Sequence, residues 1–468
     1  MGVAGIILSL VLLIGLAYRG LTVLILAPLL ALLAVVLNGG VPILASYSEV
    51  FMGSFATYAK AYFPLFLLGA IFGKLMEDSG SARAIANFIT ARLGQDKAIL
   101  AIVLACAVLT YGGVSLFVVA FAVFPIAQAL FRAADIPKSL IPGSIALGSF
   151  TFTMTALPGS PQIQNAIPMP FFGTDTYAAP IIGLVGAVIM LGGGLLWLNY
   201  RARQARLAGR GYLPPEAMAK ELQQEQAAAE ADTPTTADPP IWLALLPIGV
   251  VLVLNFVCSR FVFPALDTSY LSAAPYNTSL EKVLGQWSLI VAVSTGILLV
   301  LVFQRRRLPS PQASINAGAV GSLLAVINTC SEVGYGNVIA SLPAFKQIQD
   351  AIMGISSNPL ISEAISVSAL AGITGSASGG MSIALNILGE DYLAMAQASG
   401  LNPEVLHRVA TLACGSLDAL PHNGAVITLL AICGLTHRAA YPDIGMVTVV
   451  IPVLATLAGV TLGSLGVV

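Results

Sequence analysis

Residues 98–131 form a run of 34 positions with no charged side chain, interrupted at its middle by Thr110-Tyr111-Gly112-Gly113-Val114-Ser115. One helical crossing of a bilayer takes about 20 apolar residues, so the run is too long for a single span and its arms are too short for two. Backbone at membrane depth must satisfy its own hydrogen bonds, and irregular backbone is tolerated there only inside protein. The pattern predicts a re-entrant helical hairpin with the Gly-rich stretch as its tip. Composition extends the inference to the whole chain: 57% of residues are hydrophobic and 9% charged, against about 25% charged in soluble domains. With a mean hydropathy of +0.89, the chain is expected to be an all-α polytopic membrane protein embedded in a lipid bilayer, with no nucleic acid as partner. Cys106, Cys258, Cys330, Cys414 and Cys433 show no metal or redox spacing, and the four of them that sit in apolar runs read as small buried hydrophobes; no metal or cofactor is expected. Residues 2–18 lack the basic start of a cleavable signal and lead directly to Arg19 and a second apolar run, so they are expected to be a span.

The interrupted pattern recurs. Residues 364–389 hold a second hairpin around Thr374-Gly375-Ser376-Ala377-Ser378-Gly379-Gly380. Residues 139–168 are broken by Leu157-Pro158-Gly159-Ser160-Pro161, and 409–436 by Ser416-Leu417-Asp418-Ala419-Leu420-Pro421-His422-Asn423-Gly424. At an offset of 263, residues 111–115 overlie 374–378 and Ala156-Leu157-Pro158 overlies Ala419-Leu420-Pro421. The spans at 21–38 and 61–76 shift onto apolar spans at the same offset. Each half is therefore expected to hold three spans, a re-entrant hairpin, a broken span and a last span, about 10 full spans plus 2 hairpins in all. Five crossings per half is an odd number, so the two repeats sit inverted in the membrane. Residues 1–200 form the first repeat and 241–468 the second, joined by a hydrophilic cytoplasmic linker at 201–240. The remaining spans fall at 180–200, 241–259, 286–303, 315–333 and 444–466. Residues 81–97 read as an interfacial amphipathic helix, 39–60 as polar and turn-rich, and 337–358 as a mixed segment.

Charge placement gives an orientation. With Arg19 in the cytoplasm, sixteen of the 21 Lys and Arg residues fall on that side, and only Lys60, Arg260, Lys282, Lys346 and Arg408 on the other. That is a positive-inside bias with both termini on the outer side. The first hairpin then enters from the cytoplasm and the second from outside.

The four interruptions are expected to meet. Broken helices expose N-terminal amides, which favour an anion, and C-terminal carbonyls, which favour a cation. Thr110, Tyr111, Gly112, Gly113, Ser115, Pro158, Gly159, Ser160, Gln162, Asn165, Thr374, Gly375, Ser376, Ser378 and Asn423 are the candidate substrate-binding residues. No Lys or Arg lies inside these runs, so dipoles and hydroxyls would hold the anion; intrahelical bonding of any single Ser or Thr is the competing reading. Asp418 and His422 are the only carboxylate and imidazole expected in this core, and they are assigned to proton coupling. A cap on the second half-helix is the structural alternative for Asp418. Neutral oxygens at paired breaks would also suit sodium. An intramembrane enzyme using Asp418, His422 and Ser416 is the contrasting class, but catalysis has no need of two symmetric half-sites. The chain is read as a transporter, with no catalytic residues.

At Gly69-Ala70-Ile71-Phe72-Gly73-Lys74-Leu75-Met76-Glu77-Asp78-Ser79-Gly80 and in the hairpin-plus-break layout, the chain resembles the gluconate:proton symporter (gluconate permease, GntP) family of the ion transporter superfamily. Ala156-Leu157-Pro158-Gly159 and Leu420-Pro421-His422-Asn423-Gly424 are similar to the hydroxybutyrate-permease branch. The resemblance implies proton-coupled uptake of a small hydroxy- or sugar-acid anion, such as 3-hydroxybutyrate or gluconate, across a bacterial inner membrane. It also implies a homodimer with an elevator-like transport domain. Gluconate permeases proper carry a His at the first break and an acid at the first hairpin tip. Here those places hold Pro158 to Gln162 and Tyr111-Gly112-Gly113, a difference that suits a smaller acid.

Overall fold

Helix is the element the apolar runs demand, and the described residues form no strand. The computed structural model describes residues 2–18, 21–114, 116–213, 238–421 and 423–468. In the first half these are α1 (Gly2–Tyr18), α2 (Val23–Asn38), α3 (Ile43–Asp78), α4 (Ser81–Leu93), the hairpin arms α5 (Ala98–Tyr111) and α6 (Leu116–Ala133), α7 (Ile141–Ser149), and α8 (Pro180–Leu207). Short helical turns at Phe152–Thr155, Ile163–Ala166 and Met169–Phe172 lie between α7 and α8. In the second half come α9 (Ile241–Ala265), α10 (Leu280–Phe303), α11 (Pro311–Ser341), α12 (Phe345–Met353), the hairpin arms α13 (Pro359–Thr374) and α14 (Ala377–Ser399), α15 (Pro403–Leu417), α16 (Gly424–Cys433) and α17 (His437–Ser464). By length and apolarity α3, α8, α9, α10, α11 and α17 are each sufficient to cross a membrane. The chain turns by 108° between α4 and the hairpin arm that follows.

Helix starts are written into the sequence. Ser310-Pro311, Asn358-Pro359 and Asn402-Pro403 each place a side-chain oxygen before a proline. Those oxygens accept the amides of Ala313 at 3.3 Å, Leu360 at 3.0 Å and Glu404 at 2.9 Å. The proline at the first helical position has no amide to leave unsatisfied.

Three expected segments are corrected. Residues 39–60 are not turn-rich: helix runs from Ile43 to Asp78, through a π-type turn at Ser46–Phe51. Phe51, Tyr58 and Tyr62 are buried, so one face of this polar stretch is held by packing, and Phe51 lies against Gly334 of α11. Residues 337–341 continue α11, and the rest of the mixed segment contains the amphipathic helix α12. Residues 201–207, assigned to the linker, continue α8; of the linker, 214–237 lie outside the described residues.

The buried apolar side chains separate into two large cores. One gathers the first hairpin, Ile141 to Phe150, Val426 to Cys433 of α16, and Ala440 to Val447 of α17. The other gathers the second hairpin, α15, and residues Phe152 to Phe172. Both broken segments thus pass from one core into the other: the first changes core at 150–152, just ahead of its break, and the second changes core at its break. A third core joins α1 and α2 to Phe51 of α3 and to Tyr335 to Phe345. Corresponding elements of the two halves run in opposite senses between the large cores. α3 enters the second at Tyr58 and leaves through the first at Met76, whereas α11 meets the first at Ile315 and the second at Val326 to Val333. α8 and α17 are opposed in the same way.

Candidate functional site

The breaks form where proline and glycine interrupt the helical ladder. Gly113 has φ +92°, Gly159 +80° and Gly375 +64°, left-handed values that favour glycine. In the first half, the Tyr111 hydroxyl donates to the Pro158 carbonyl at 2.7 Å, and Gln162 Nε2 donates to the Thr110 carbonyl at 2.7 Å. In the second, Asn423 Nδ2 donates to the Gly375 carbonyl at 2.9 Å. Each hairpin tip is therefore clamped by an amide side chain from the broken segment of its own half. The halves are also interlocked: Gly415 of α15 lies against Thr155, and the turn at Ile163–Ala166 packs on α14 and α15 while α16 packs on α6.

The candidate residues divide by what their polar atoms already do. Ser160 donates to the Thr153 carbonyl at 2.7 Å and Thr374 to the Leu370 carbonyl at 2.9 Å. The amide of Gly159 donates to the Thr176 carbonyl at 2.8 Å, and Gly112 faces Ile248 of α9. Ser376 caps α14, accepting the Gly379 amide at 3.1 Å, with Ser378 3.4 Å from it. Asn423 Oδ1 caps α16 by accepting the amides of Ala425 and Val426. That settles the structural alternative for Asp418: its carboxylate is not the cap, and its buried Oδ1 has no hydrogen-bond partner. Ser115 and His422 lie outside the described residues. Asn165 stands apart from the tips. Its Nδ2 donates to the carbonyls of Ser160 and Thr176, and its Oδ1 accepts from Arg408 Nη1 at 3.1 Å.

Arg408, one residue before the fourth run, is a buried cation beside these breaks, and buried His407, Glu332 and Glu363 add to Asp418 and His422, the only carboxylate and imidazole expected there. Arg408 is fully buried, and its guanidinium also donates to the Ala178 carbonyl at 3.0 and 2.7 Å. Beside it, His407 Nε2 faces Asn165 Oδ1 at 3.2 Å and Nδ1 faces the Thr174 hydroxyl at 2.6 Å. Because Asn165 Oδ1 can only accept, Nε2 carries a proton. Glu332 of α11 and Glu363 of α13 are buried carboxylates, and neither Glu332 Oε2 nor either oxygen of Glu363 has a hydrogen-bond partner.

Some of the buried polar atoms left open lie on or beside the breaks. Thr110 Oγ1, Gln164 Oε1, Asp418 Oδ1 and Glu332 Oε2 are all buried without partners. Glu332 reaches the second hairpin tip, since a Cβ on Gly379 would overlap its carboxylate. The next residue shows how tightly that hairpin is built. A Cβ on Gly380 would strike the backbone of Leu370 and Ala371 in the opposite arm, which no side-chain rotation relieves. Gly380→Ala is expected to lower stability by about 1–3 kcal/mol, read as a lower unfolding temperature in detergent; unchanged unfolding would show that the arms do not touch.

The family model of the GntP family permeases matches residues 1–465. The chain is 46% identical to YxjC, a transporter of Bacillus subtilis (strain 168), over 449 residues covering 95% of both chains. A Haemophilus influenzae transporter is 33% identical over 125 residues, 26% of this chain and 27% of that one. Among solved structures, the fold is similar to the Alcanivorax borkumensis YdaH transporter (TM-score 0.52, 15% identity, 90% of this chain and 87% of that one). It is similar also to Neisseria gonorrhoeae MtrF, described as an antimetabolite efflux pump (TM-score 0.53, 11% identity, 91% and 84%).

Proposed function

Because the chain belongs to the GntP permease family, and is therefore a multi-pass membrane transporter, we propose that it takes up a small hydroxy monocarboxylate in symport with a proton. The observation that carries this reading is the pair of buried, unpartnered carboxylate oxygens of Asp418 and Glu332, near the starts of α16 and α14. Native interiors satisfy nearly all their buried polar groups. Open hydrogen-bonding capacity beside two helix N-termini suits a carboxylate bearing a hydroxyl, held by amides and released without breaking an ion pair. The opposed senses of α3 and α11, and of α8 and α17, support inverted repeats with a bacterial inner-membrane orientation in which both termini are periplasmic. The separate core around α1 and α2 supports a framework against which the hairpins move in an elevator-type cycle.

Asp418 is the proposed carrier of the coupled proton, with His422 as its assigned companion. In proteoliposomes under an acid-outside pH gradient, the native protein is expected to accumulate labelled 3-hydroxybutyrate. Asp418→Asn is expected to exchange it across the membrane without accumulation. Accumulation by Asp418→Asn at the native level would remove Asp418 from coupling. Dependence on a sodium gradient instead of a pH gradient would replace the proton as the coupling ion.

A further inference from the structure

Glu332 is absent from the site as the sequence defines it, yet it lies at the start of α14. It sits in the C-terminal third of α11 and is 6% exposed. Its Oε2 has no partner, and its carboxylate occupies the space beside Gly379 where a Cβ would otherwise stand. Gly379 is in the first turn of α14, and its amide points to the Ser376 hydroxyl. Two buried hydroxyls adjoin, Tyr58 of α3 (3% exposed) and Ser382 of α14 (0%), and they interact with each other. The titratable neighbours are Tyr58 on α3 and Cys330 on its own helix; α14 presents glycines and the Ser376 hydroxyl, which hydrogen-bonds the carboxylate, and no described ion pair includes Glu332. For a buried carboxylate with no cation partner, set against the positive end of a helix, burial favours the neutral state and the helix end the ionised one. Ionised, it is itself the anion of the α14 N-terminus. Protonated, it is neutral and leaves that N-terminus to another anion.

We propose that Glu332 is a proton-binding group whose ionised carboxylate competes with the substrate carboxylate for the first turn of α14, so that a proton taken up on Glu332 admits the anion. This rests on the carboxylate-transport reading above and adds a second proton-binding group, linked to binding itself and not to the gradient. The amides of α14 present positive charge to the site, which disfavours sodium there. The linkage has a definite sign: affinity for the anion rises as pH falls and Glu332 protonates.

Equilibrium binding of 3-hydroxybutyrate to the purified protein, with no gradient, tests it between about pH 6 and about pH 9, where the ligand stays ionised. The native protein is expected to bind about tenfold more weakly per pH unit once Glu332 ionises, as one linked proton requires. Glu332→Gln is expected to bind tightly and to lose the tenfold-per-unit dependence on pH. A native profile in Glu332→Gln overturns the proposal, as does affinity that follows sodium in the native protein and loses that dependence in Glu332→Gln. A second arm needs no substrate: the infrared difference spectrum between the two pH limits is expected to contain a protonated-carboxyl band that Glu332→Gln removes, and its persistence overturns the proposal. If the native protein binds no 3-hydroxybutyrate, the transport reading fails while the infrared band still decides for or against Glu332.

Discussion

Arg408→Met is expected to cost the fold about 3 kcal/mol or more, because at least two buried acceptors lose a charged donor at once. Arg408 Nε and Nη2 converge on the Ala178 carbonyl, Nη1 reaches Asn165 Oδ1, and Nη2 lies 3.4 Å from the Thr176 carbonyl. These acceptors belong to the first half of the chain, while Arg408 belongs to α15 in the second. Glu404, one turn earlier, accepts the Ala179 amide at 3.0 Å, so one face of α15 holds the whole segment that leads into α8. Methionine fills similar volume without any donor, and the protein is too closely packed there to admit bulk water. The expected readout is a lower unfolding temperature in detergent with loss of the monodisperse peak. Arg408→Lys separates charge from geometry. An ammonium lacks the fixed fork that places two donors on Ala178 and a third on Asn165, so lysine should recover less than half of the loss. Unfolding of Arg408→Met at the native temperature would mean that the two halves are held together by apolar packing alone.

Arg408 also shows where the sequence could be read and where it could not. The overlong runs at 98–131 and 364–389 announced hairpins because helix length against bilayer thickness is a hard constraint. The breaks at 156–162 and 418–424 were legible from proline and glycine. Runs defined by the absence of charge end, by construction, at the first charge. Glu363 and Asp443 fall one residue before their runs, Arg408 likewise, and Glu332 falls in the last turn of its expected span. All four are buried inside helices that continue past them. Asp443 is met by Trp197 and Arg201, and Arg408 by carbonyls some 230 residues away in sequence. No local pattern encodes such partners, so a charge that is solvated and a charge that is matched in the interior look alike until the fold brings the partner. The same holds for Asn165. Its amide resembled a ligand for substrate, but the loop carbonyls and Arg408 claim it.

Asn423→Asp is expected to leave the protein folded and to raise the KM for 3-hydroxybutyrate at least about tenfold, a loss of about 1.4 kcal/mol in binding. Asn423 does two separable things. Its Oδ1 accepts the amides of Ala425 and Val426 at the start of α16, while its Nδ2 donates to the carbonyls of Gly375 and Asp418 at 2.9 and 3.0 Å. Aspartate is as good a cap as asparagine, so α16 should still begin where it does. It cannot donate, so the second hairpin tip loses its clamp, and it brings a negative charge to an N-terminus proposed to receive an anion. Asn423→Ser isolates these two losses, because serine caps the helix and adds no charge but is too short to hold Gly375. If electrostatics dominates, Asn423→Ser should lose much less affinity than Asn423→Asp, and raising the salt concentration should narrow the gap only slightly, since a buried charge is poorly screened. If the clamp dominates, the two variants should be equally impaired, and the turnover number should fall along with affinity because the hairpin tip no longer moves as one with its broken segment. Native transport by both variants would exclude the start of α16 from the substrate path and leave α14, with Glu332 beside it, as the anion's only helix N-terminus among those proposed.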